Sequence, residues 1–129
     1  MATISSDLAD RLATQLATMA SALQRGDGLS VAQVYADDAL LTDLRGSRVQ
    51  GRAALDAHWT SLPHCTLWQL DILEVGGDPS LPYQWLRSSM ILEQNGRAIH
   101  DIGTCFVIWK RQADGDYRIY VDIYQPHHQ

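Results

Sequence analysis

The most constraining feature of the sequence is a change of hydrophobic period at Pro63. Before this residue, apolar side chains recur at the three- and four-residue spacings of helices, beginning with Leu8, Leu12 and Leu16. After it, apolar and polar residues alternate as they do in β-strands. The β segments are expected at residues 65–75, 83–94, 97–110 and 117–125. The chain therefore begins with helices and ends with a sheet.

The connections between the β segments indicate how these segments pair. "NG" at 95–96 and "DG" at 114–115 are strong signals for tight hairpins. Because hairpins join neighbouring strands, the sheet should be mostly antiparallel. The order predicts an α+β fold, with three N-terminal helices packed on one face of a strongly curved, mostly antiparallel sheet.

The N-terminal half divides into three predicted helices and one short strand. The first helix is capped by Ser5 or Ser6 and ends near Gly26. The second lies within "LSVAQVYADD", and the third is "RAALDAHWTSL". Residues 39–43 are expected to form a brief strand, with "RGSR" as the turn that follows it.

Size, charge and cysteine content limit the classes of function. A chain of 129 residues fits one domain, spanning 1–129. A net charge of −5 without a basic run argues against nucleic-acid binding. The sequence has no apolar stretch of the ~20 residues that span a bilayer. The opening "MATISSDLADRL" lacks the pattern of a secretory signal, so a cytoplasmic location with reduced, buried Cys65 and Cys105 is expected.

Asp43 is the first candidate for chemistry. Residues 39, 41 and 43 share one face of a strand, and Ala39 and Leu41 make that face apolar. A carboxylate placed there loses solvation, so its pKa rises toward the range of a general acid or base. Two alternatives remain open, since Asp43 also suits a turn cap or an ion pair with Arg45.

Histidine and tryptophan side chains supply further candidates. His58 precedes Trp59 on the third helix, where it can take part in proton transfer or be a half-buried structural histidine. Trp68, Trp85 and Trp109 lie on strands and can line a cavity, a dimer face or the core. The sequence has no His-x-His, His-x-x-x-His or Cys-x-x-Cys spacing, so neither a metal site nor a cofactor is expected.

The last β segment has two different faces if it alternates regularly. Tyr117, Ile119, Val121 and Ile123 make one face apolar and β-branched. The opposite face carries Arg118, Tyr120, Asp122 and Tyr124. Because a large aromatic surface calls for a partner, this second face is predicted to form a homodimer interface. A solvated face is the alternative.

Three stretches resemble the SnoaL-like and ketosteroid-isomerase-like branch of the nuclear transport factor 2-like superfamily. They are "ALQRGDGLSVAQVYADDALLTD", "VQGRAALDAHW" and "GTCFVIWKRQADGDYRIYVDIY", and together they cover most of the chain. The resemblance implies a cone-shaped domain whose sheet wraps around the first helix. It also implies a pocket open at one end and dimerisation through the outer face of the sheet.

The resemblance also assigns roles to individual residues. The family's general base is the aspartate eight residues after the aromatic residue of the "ADDA" segment, which is Asp43 after Tyr35. Tyr35 and Trp59 match pocket-lining positions. The family's two oxyanion donors correspond to Met19 and a position near Cys105. Because a methionine cannot donate a hydrogen bond, the resemblance argues against steroid-isomerase activity.

Three functional hypotheses follow. The first is a domain that binds a small hydrophobic ligand, cyclic ones included, in a pocket lined by Met19, Tyr35, Trp59, Cys105 and Trp109. The second is a cofactor-independent enzyme of the isomerase, cyclase or hydrolase type that uses Asp43. The third is a protein–protein interaction or dimerisation module.

Overall fold

The computed structural model describes residues 4–127, which form three helices and six strands in one layered arrangement. The helices are α1 (Ser6–Gln24), α2 (Gly28–Ala32) and α3 (Arg52–Thr60). The strands are β1 (Tyr35–Thr42), β2 (Arg48–Gln50), β3 (His64–Asp78), β4 (Leu81–Gln94), β5 (Arg97–Arg111) and β6 (Tyr117–Pro126).

Helix α1 begins and ends where its sequence signals predict. The Ser5 hydroxyl accepts a hydrogen bond from the Leu8 backbone N–H at 3.1 Å. Gly26 has a φ of 82°, and this left-handed conformation stops the helix. Leu12 and Leu16 point into the core. Among residues 4–127, no helix is both long enough and apolar enough to cross a bilayer.

The strands form one curved, unclosed sheet in the order β2-β1-β6-β5-β4-β3. Its pairs are antiparallel except for β1 and β6, which run parallel. Helix α1 packs on β3, and α3 packs on β1, so the helices cover the concave face of the sheet. The predicted α+β class is confirmed.

Local boundaries in the N-terminal half differ from the prediction. Helix α2 ends at Ala32, and β1 begins at Tyr35 instead of residue 39, because Tyr35 already pairs with Ile119 of β6. The predicted turn is also shorter. Residues 48–50 form a strand, in which Val49 pairs with Leu41.

A bulge in β6 reverses which side chains face inward. Ile119 pairs with Trp109 and Val121 with Ile108, so Tyr120 is an extra residue. Before the bulge, odd-numbered residues are buried, whereas beyond it Asp122 and Tyr124 are buried. The prediction that Arg118, Tyr120, Asp122 and Tyr124 share an outer face is therefore wrong for its last two members. A one-residue insertion moves every later side chain to the opposite face.

Candidate functional site

The concave side of the sheet contains a small apolar cavity, named here the inner cavity. Its volume is about 40 Å³, which is room for roughly three water-sized groups. Its wall combines α3, the end of β1 with the turn after it, and strands β3 to β6. The lining residues are Leu41, Thr42, Asp43, Leu44, His58, Trp59, Leu62, Trp68, Ser88, Met90, Cys105, Asp122 and Tyr124.

Asp122 is the most unusual group of this wall. Its side chain is only 8% exposed, and its Oδ2 accepts a hydrogen bond of 2.6 Å from the Tyr35 hydroxyl. Its Oδ1 is buried without a hydrogen-bond partner among the described residues. Burial raises the pKa of Asp122 from 3.8 to about 6, although the Tyr35 hydrogen bond opposes this rise. The carboxyl group therefore titrates close to neutral pH.

Tyr35 positions the Asp122 carboxyl group. It is the first residue of β1, is 1% exposed, and its ring centroid lies 5.8 Å from that of Trp59. Burial and the neighbouring Asp122 raise the pKa of the Tyr35 hydroxyl well above its ordinary value, so this group remains protonated. A protonated hydroxyl donates to the carboxylate and fixes its orientation.

The sequence placed Asp122 on the wrong face, and no local signal corrects this. Regular alternation along "YRIYVDIY" puts the aspartate beside Tyr120, on the outer face. Only the pairing of β6 with β5 shows that Tyr120 is bulged. A buried carboxylate in the final strand was thus missed. Its partner Tyr35 was predicted to line the pocket, but it is not among the lining residues of the inner cavity and contacts Asp122 instead.

Two other wall residues contain buried polar atoms that have no hydrogen-bond partner within residues 4–127. These atoms are the indole Nε1 of Trp59 and the hydroxyl of Tyr124. The Tyr124 ring lies against Gly103, where an added Cβ would come within 2.5 Å of ring atoms. A glycine at this position of β5 is therefore required for the ring to reach the cavity. Both polar groups can donate a hydrogen bond to a bound molecule.

Asp43 lies at the rim of the inner cavity and closes the turn after β1. Its Oδ1 accepts hydrogen bonds from the backbone N–H groups of Arg45 at 2.9 Å and Ser47 at 2.8 Å. This geometry matches the turn-cap alternative. Within residues 4–127, Asp43 forms no ion pair with Arg45. The carboxylate nevertheless borders the cavity, as the general-base hypothesis requires.

His58 stands between the inner cavity and a wider opening. Its ring centroid lies 4.9 Å from that of Trp59 in an edge-to-face arrangement. Burial lowers the pKa of His58, while Asp43 acts in the opposite direction. The imidazole is therefore mainly neutral near pH 7, with ring nitrogens that can donate and accept.

The wider opening, named here the outer cleft, has a volume of about 400 Å³. It shares Asp43, Leu44, His58 and Leu62 with the inner cavity. Its other lining residues are Arg45, Pro63, Leu92, Gln94, Ile99 and Asp101. A molecule can therefore insert a small group into the inner cavity while its larger part remains in the cleft.

Of the other predicted site residues, some line the inner cavity and others belong to the packed hydrophobic core. Cys105 lines the inner cavity, and burial raises the pKa of its thiol. Met19 and Trp109 belong to the packed core instead, and the Trp109 indole N–H donates to Gln84 at 2.7 Å. Both side chains are almost fully buried, and neither is among the lining residues of the inner cavity. Trp68 lines the cavity and donates to the Ser88 hydroxyl at 3.0 Å.

The titratable side chains of the site do not form a cluster that suits a metal ion in the described residues. In the described part of the chain, His, Cys, Asp and Glu side chains form no group of three or more that is suited to a metal ion. The polar atoms of the inner cavity are instead dispersed over an apolar wall.

Comparison with known proteins supports the fold. No protein-family model and no curated protein matches the chain. Solved structures do match, including a nuclear transport factor 2-like protein of unknown function from Pseudomonas putida (TM-score 0.79, 16% identity, 98% of this chain and 91% of that chain). The chain has the cystatin-like fold that is described for such nuclear transport factor 2-like proteins. The resemblance found in the sequence is confirmed at this level.

Two further structures with this fold are similar. One is a ketosteroid isomerase-like protein from Erwinia carotovora atroseptica, with a TM-score of 0.76, 14% identity, and coverage of 90% of this chain and 93% of that chain. The other is a protein with a cystatin-like fold from Novosphingobium aromaticivorans, with a TM-score of 0.72, 16% identity, and coverage of 92% and 87%. At these identities the likeness concerns the fold.

Proposed function

We propose that the chain is a small-molecule-binding domain whose ligand enters the inner cavity and contacts Asp122. The observation that carries the proposal is the buried Asp122 carboxyl group, with one oxygen held by Tyr35 and the other without a partner. A buried polar atom without a partner costs about 1–3 kcal/mol. A ligand group that binds to Oδ1 would remove this cost.

The volumes of the two spaces limit the ligand. The inner cavity of about 40 Å³ admits a branched alkyl group or one edge of a ring, with one polar atom. The outer cleft of about 400 Å³ accommodates the larger part of the molecule. The proposed ligand is therefore mainly apolar at one end and more polar at the other, because Asp43, Arg45 and Asp101 line the cleft.

Binding can be tested with isobutanol, a small probe that can place part of its skeleton in the inner cavity and the rest in the adjoining outer cleft. We expect dose-dependent NMR shifts of the Met90 methyl group and the Trp59 indole N–H, both in the wall. The Cys105→Leu variant fills the cavity and should abolish these shifts, with folding checked by urea denaturation. Unchanged Met90 and Trp59 signals, or equal shifts in Cys105→Leu, would contradict the proposal.

Proton transfer at Asp122 is a second candidate function. It is favoured by the pKa of about 6, which lets the carboxyl group accept or release a proton near neutral pH. Tyr124 and Trp59 supply hydrogen-bond donors on the same wall. Exchange of the α-protons of 3-methylbutan-2-one with D2O tests this candidate. Catalysed exchange should rise with pH through about 6 and be absent in Asp122→Asn, and a rate equal to buffer alone rejects it.

We also propose that the outer face of the sheet pairs with a second copy of the chain. Two rows of apolar side chains cross this face, namely Tyr83–Ile108–Val121 and Trp85–Phe106–Ile123. Their six residues are named here the outer belt. Trp85 is 41% exposed and Ile123 is 43% exposed, although their neighbours on the opposite face are buried. A contiguous apolar surface of this kind is typical of protein interfaces.

Light scattering coupled to size-exclusion chromatography tests the dimer. The wild-type chain should elute with twice the mass of one chain, and Ile123→Glu should shift the mass to that of a monomer. Thr18→Glu, on the exposed side of α1, is the matched control and should leave the mass unchanged. A monomeric wild-type chain at high concentration would refute the dimer.

A further inference from the structure

The charges around the inner cavity are unbalanced. Its wall contains two carboxylates, Asp122 and Asp43, while Lys and Arg are absent from the lining residues. Five ion pairs occur among the described residues, and none of them includes Asp122. Among the described residues, the one hydrogen bond that the Asp122 side chain accepts comes from a neutral hydroxyl group. When ionised, this buried carboxylate has no counter-charge in the described chain.

The groups that face Asp122 from the neighbouring elements do not change this balance. Tyr35 and Cys105 are neutral because their pKa values are raised, and Tyr124 is neutral for the same reason. The pKa of His58 is lowered by burial, which favours its neutral form. Asp43 at the rim adds a second negative charge.

We propose that the ligand is a small ammonium ion with an apolar body, and that one of its N–H groups donates to Oδ1 of Asp122. This inference rests on the proposed binding function and specifies its ligand class. The ammonium group supplies the missing counter-charge, and a charged donor forms a stronger hydrogen bond to a carboxylate than a neutral donor does. We expect the apolar body to contact the apolar wall residues Leu41, Leu44 and Met90.

The position of Asp43 supports the same ligand class. A cation that approaches from the outer cleft passes the carboxylates of Asp101 and Asp43 before it reaches Asp122. Carboxylates along an entry path raise the local concentration of cations and lower that of anions. Among the described residues that line the cleft, Arg45 is the one cationic side chain, so it offsets one of the two carboxylates and the entry path remains negatively charged.

Three probes of the same shape distinguish ammonium recognition from apolar binding. They are isobutylammonium, isobutanol and isobutyrate, which place a cation, a neutral hydroxyl and an anion on similar carbon skeletons. Affinities are measured by NMR titration of the Met90 methyl group near pH 7.5, and those of isobutylammonium and isobutanol are measured again near pH 5. The proteins are the wild-type chain, Asp122→Asn, and Asp71→Asn as a control with an exposed aspartate.

Near pH 7.5, isobutylammonium should bind about 10- to 100-fold more tightly than isobutanol, as expected for a hydrogen bond to a charged group. This preference should disappear in Asp122→Asn and remain in Asp71→Asn. Protonation of Asp122 should weaken ammonium binding about tenfold near pH 5, since its pKa is about 6.

The outcomes separate this inference from the proposed function. If isobutanol or isobutyrate binds as tightly as isobutylammonium, the ammonium class is wrong, while the binding function remains. If none of the three probes shifts the Met90 signal, the inner cavity does not bind small molecules and both proposals fail. If Asp122→Asn still prefers isobutylammonium, the carboxylates of Asp43 and Asp101 recognise the ammonium group. The proposed role of Asp122 is then wrong.

Discussion

Replacing Asp122 with asparagine should stabilise the protein in a pH-dependent manner. Asparagine retains an oxygen that accepts the 2.6 Å hydrogen bond from Tyr35, but it cannot become charged. In the wild-type chain, burial raises the pKa of Asp122 from 3.8 to about 6. The folded state therefore binds this proton more tightly than the unfolded state, so stability falls as pH rises from about 4 to about 6.

The magnitude follows from the pKa values. A difference of about two pH units between 3.8 and about 6 corresponds to about 3 kcal/mol. This penalty is complete above pH 6 and nearly absent below pH 4. The amide N–H groups that the substitution introduces lack partners and have a cost of their own, but that cost is independent of pH. The stability of Asp122→Asn relative to wild type should therefore increase by about 2–3 kcal/mol between pH 4 and pH 7.5.

Urea denaturation at several pH values measures this quantity directly. The free energy of unfolding is compared between Asp122→Asn and wild type at each pH, so the titration of the other carboxyl groups cancels. Asp71→Asn is the control, because Asp71 is exposed on β3. A difference that stays constant from pH 4 to pH 7.5 would refute the reasoning, since it would mean that the Asp122 carboxylate is already compensated.

Three further substitutions test the contacts that hold the site residues in position. Tyr35→Phe removes the hydrogen bond that lowers the pKa of Asp122, so the carboxyl 13C titration of Asp122 should move to higher pH. Asp43→Ala removes the two turn hydrogen bonds and should cost about 0.5–2 kcal/mol in urea denaturation, whereas Asp43→Asn, which retains the acceptor, should cost less. Gly103→Ala places a methyl group within 2.5 Å of the Tyr124 ring and should destabilise the fold by about 1–3 kcal/mol. A wild-type melting curve for Gly103→Ala would contradict this contact.

The fold could be predicted because its signals are local and agree with one another. Leu12 and Leu16 follow the helical period, and Asn95 and Gly96 both adopt the positive φ values, 54° and 76°, that a tight hairpin requires. These positions determine which segments are adjacent. They were sufficient to indicate an α+β domain with an antiparallel sheet.

The site could be predicted only in part, because its central residue depends on strand pairing. Tyr35, Trp59 and His58 were selected from the sequence, but Asp122 was assigned to the outer face. The bulge at Tyr120 arises where β6 pairs with β5 and also meets β1 in parallel. A bulge that depends on two neighbouring strands leaves no pattern within β6 itself. Asp43 is the opposite case. The sequence indicated it as a catalytic candidate, and the structure shows that its carboxylate also caps the turn after β1.

The energetic cost at Asp122 is itself an argument for a binding function. The free energy of unfolding of a domain of this size is only about 5–15 kcal/mol. A buried carboxylate without a counter-charge therefore lowers it by a large fraction. If the position had only a structural role, an asparagine or an apolar residue would fill it at lower cost. A buried group that is retained at such a cost is typical of sites where a ligand or a reaction requires it. The inner cavity, whose wall includes Asp122, is where such a ligand would bind, and the described lining residues contain no Lys or Arg, which favours a cation.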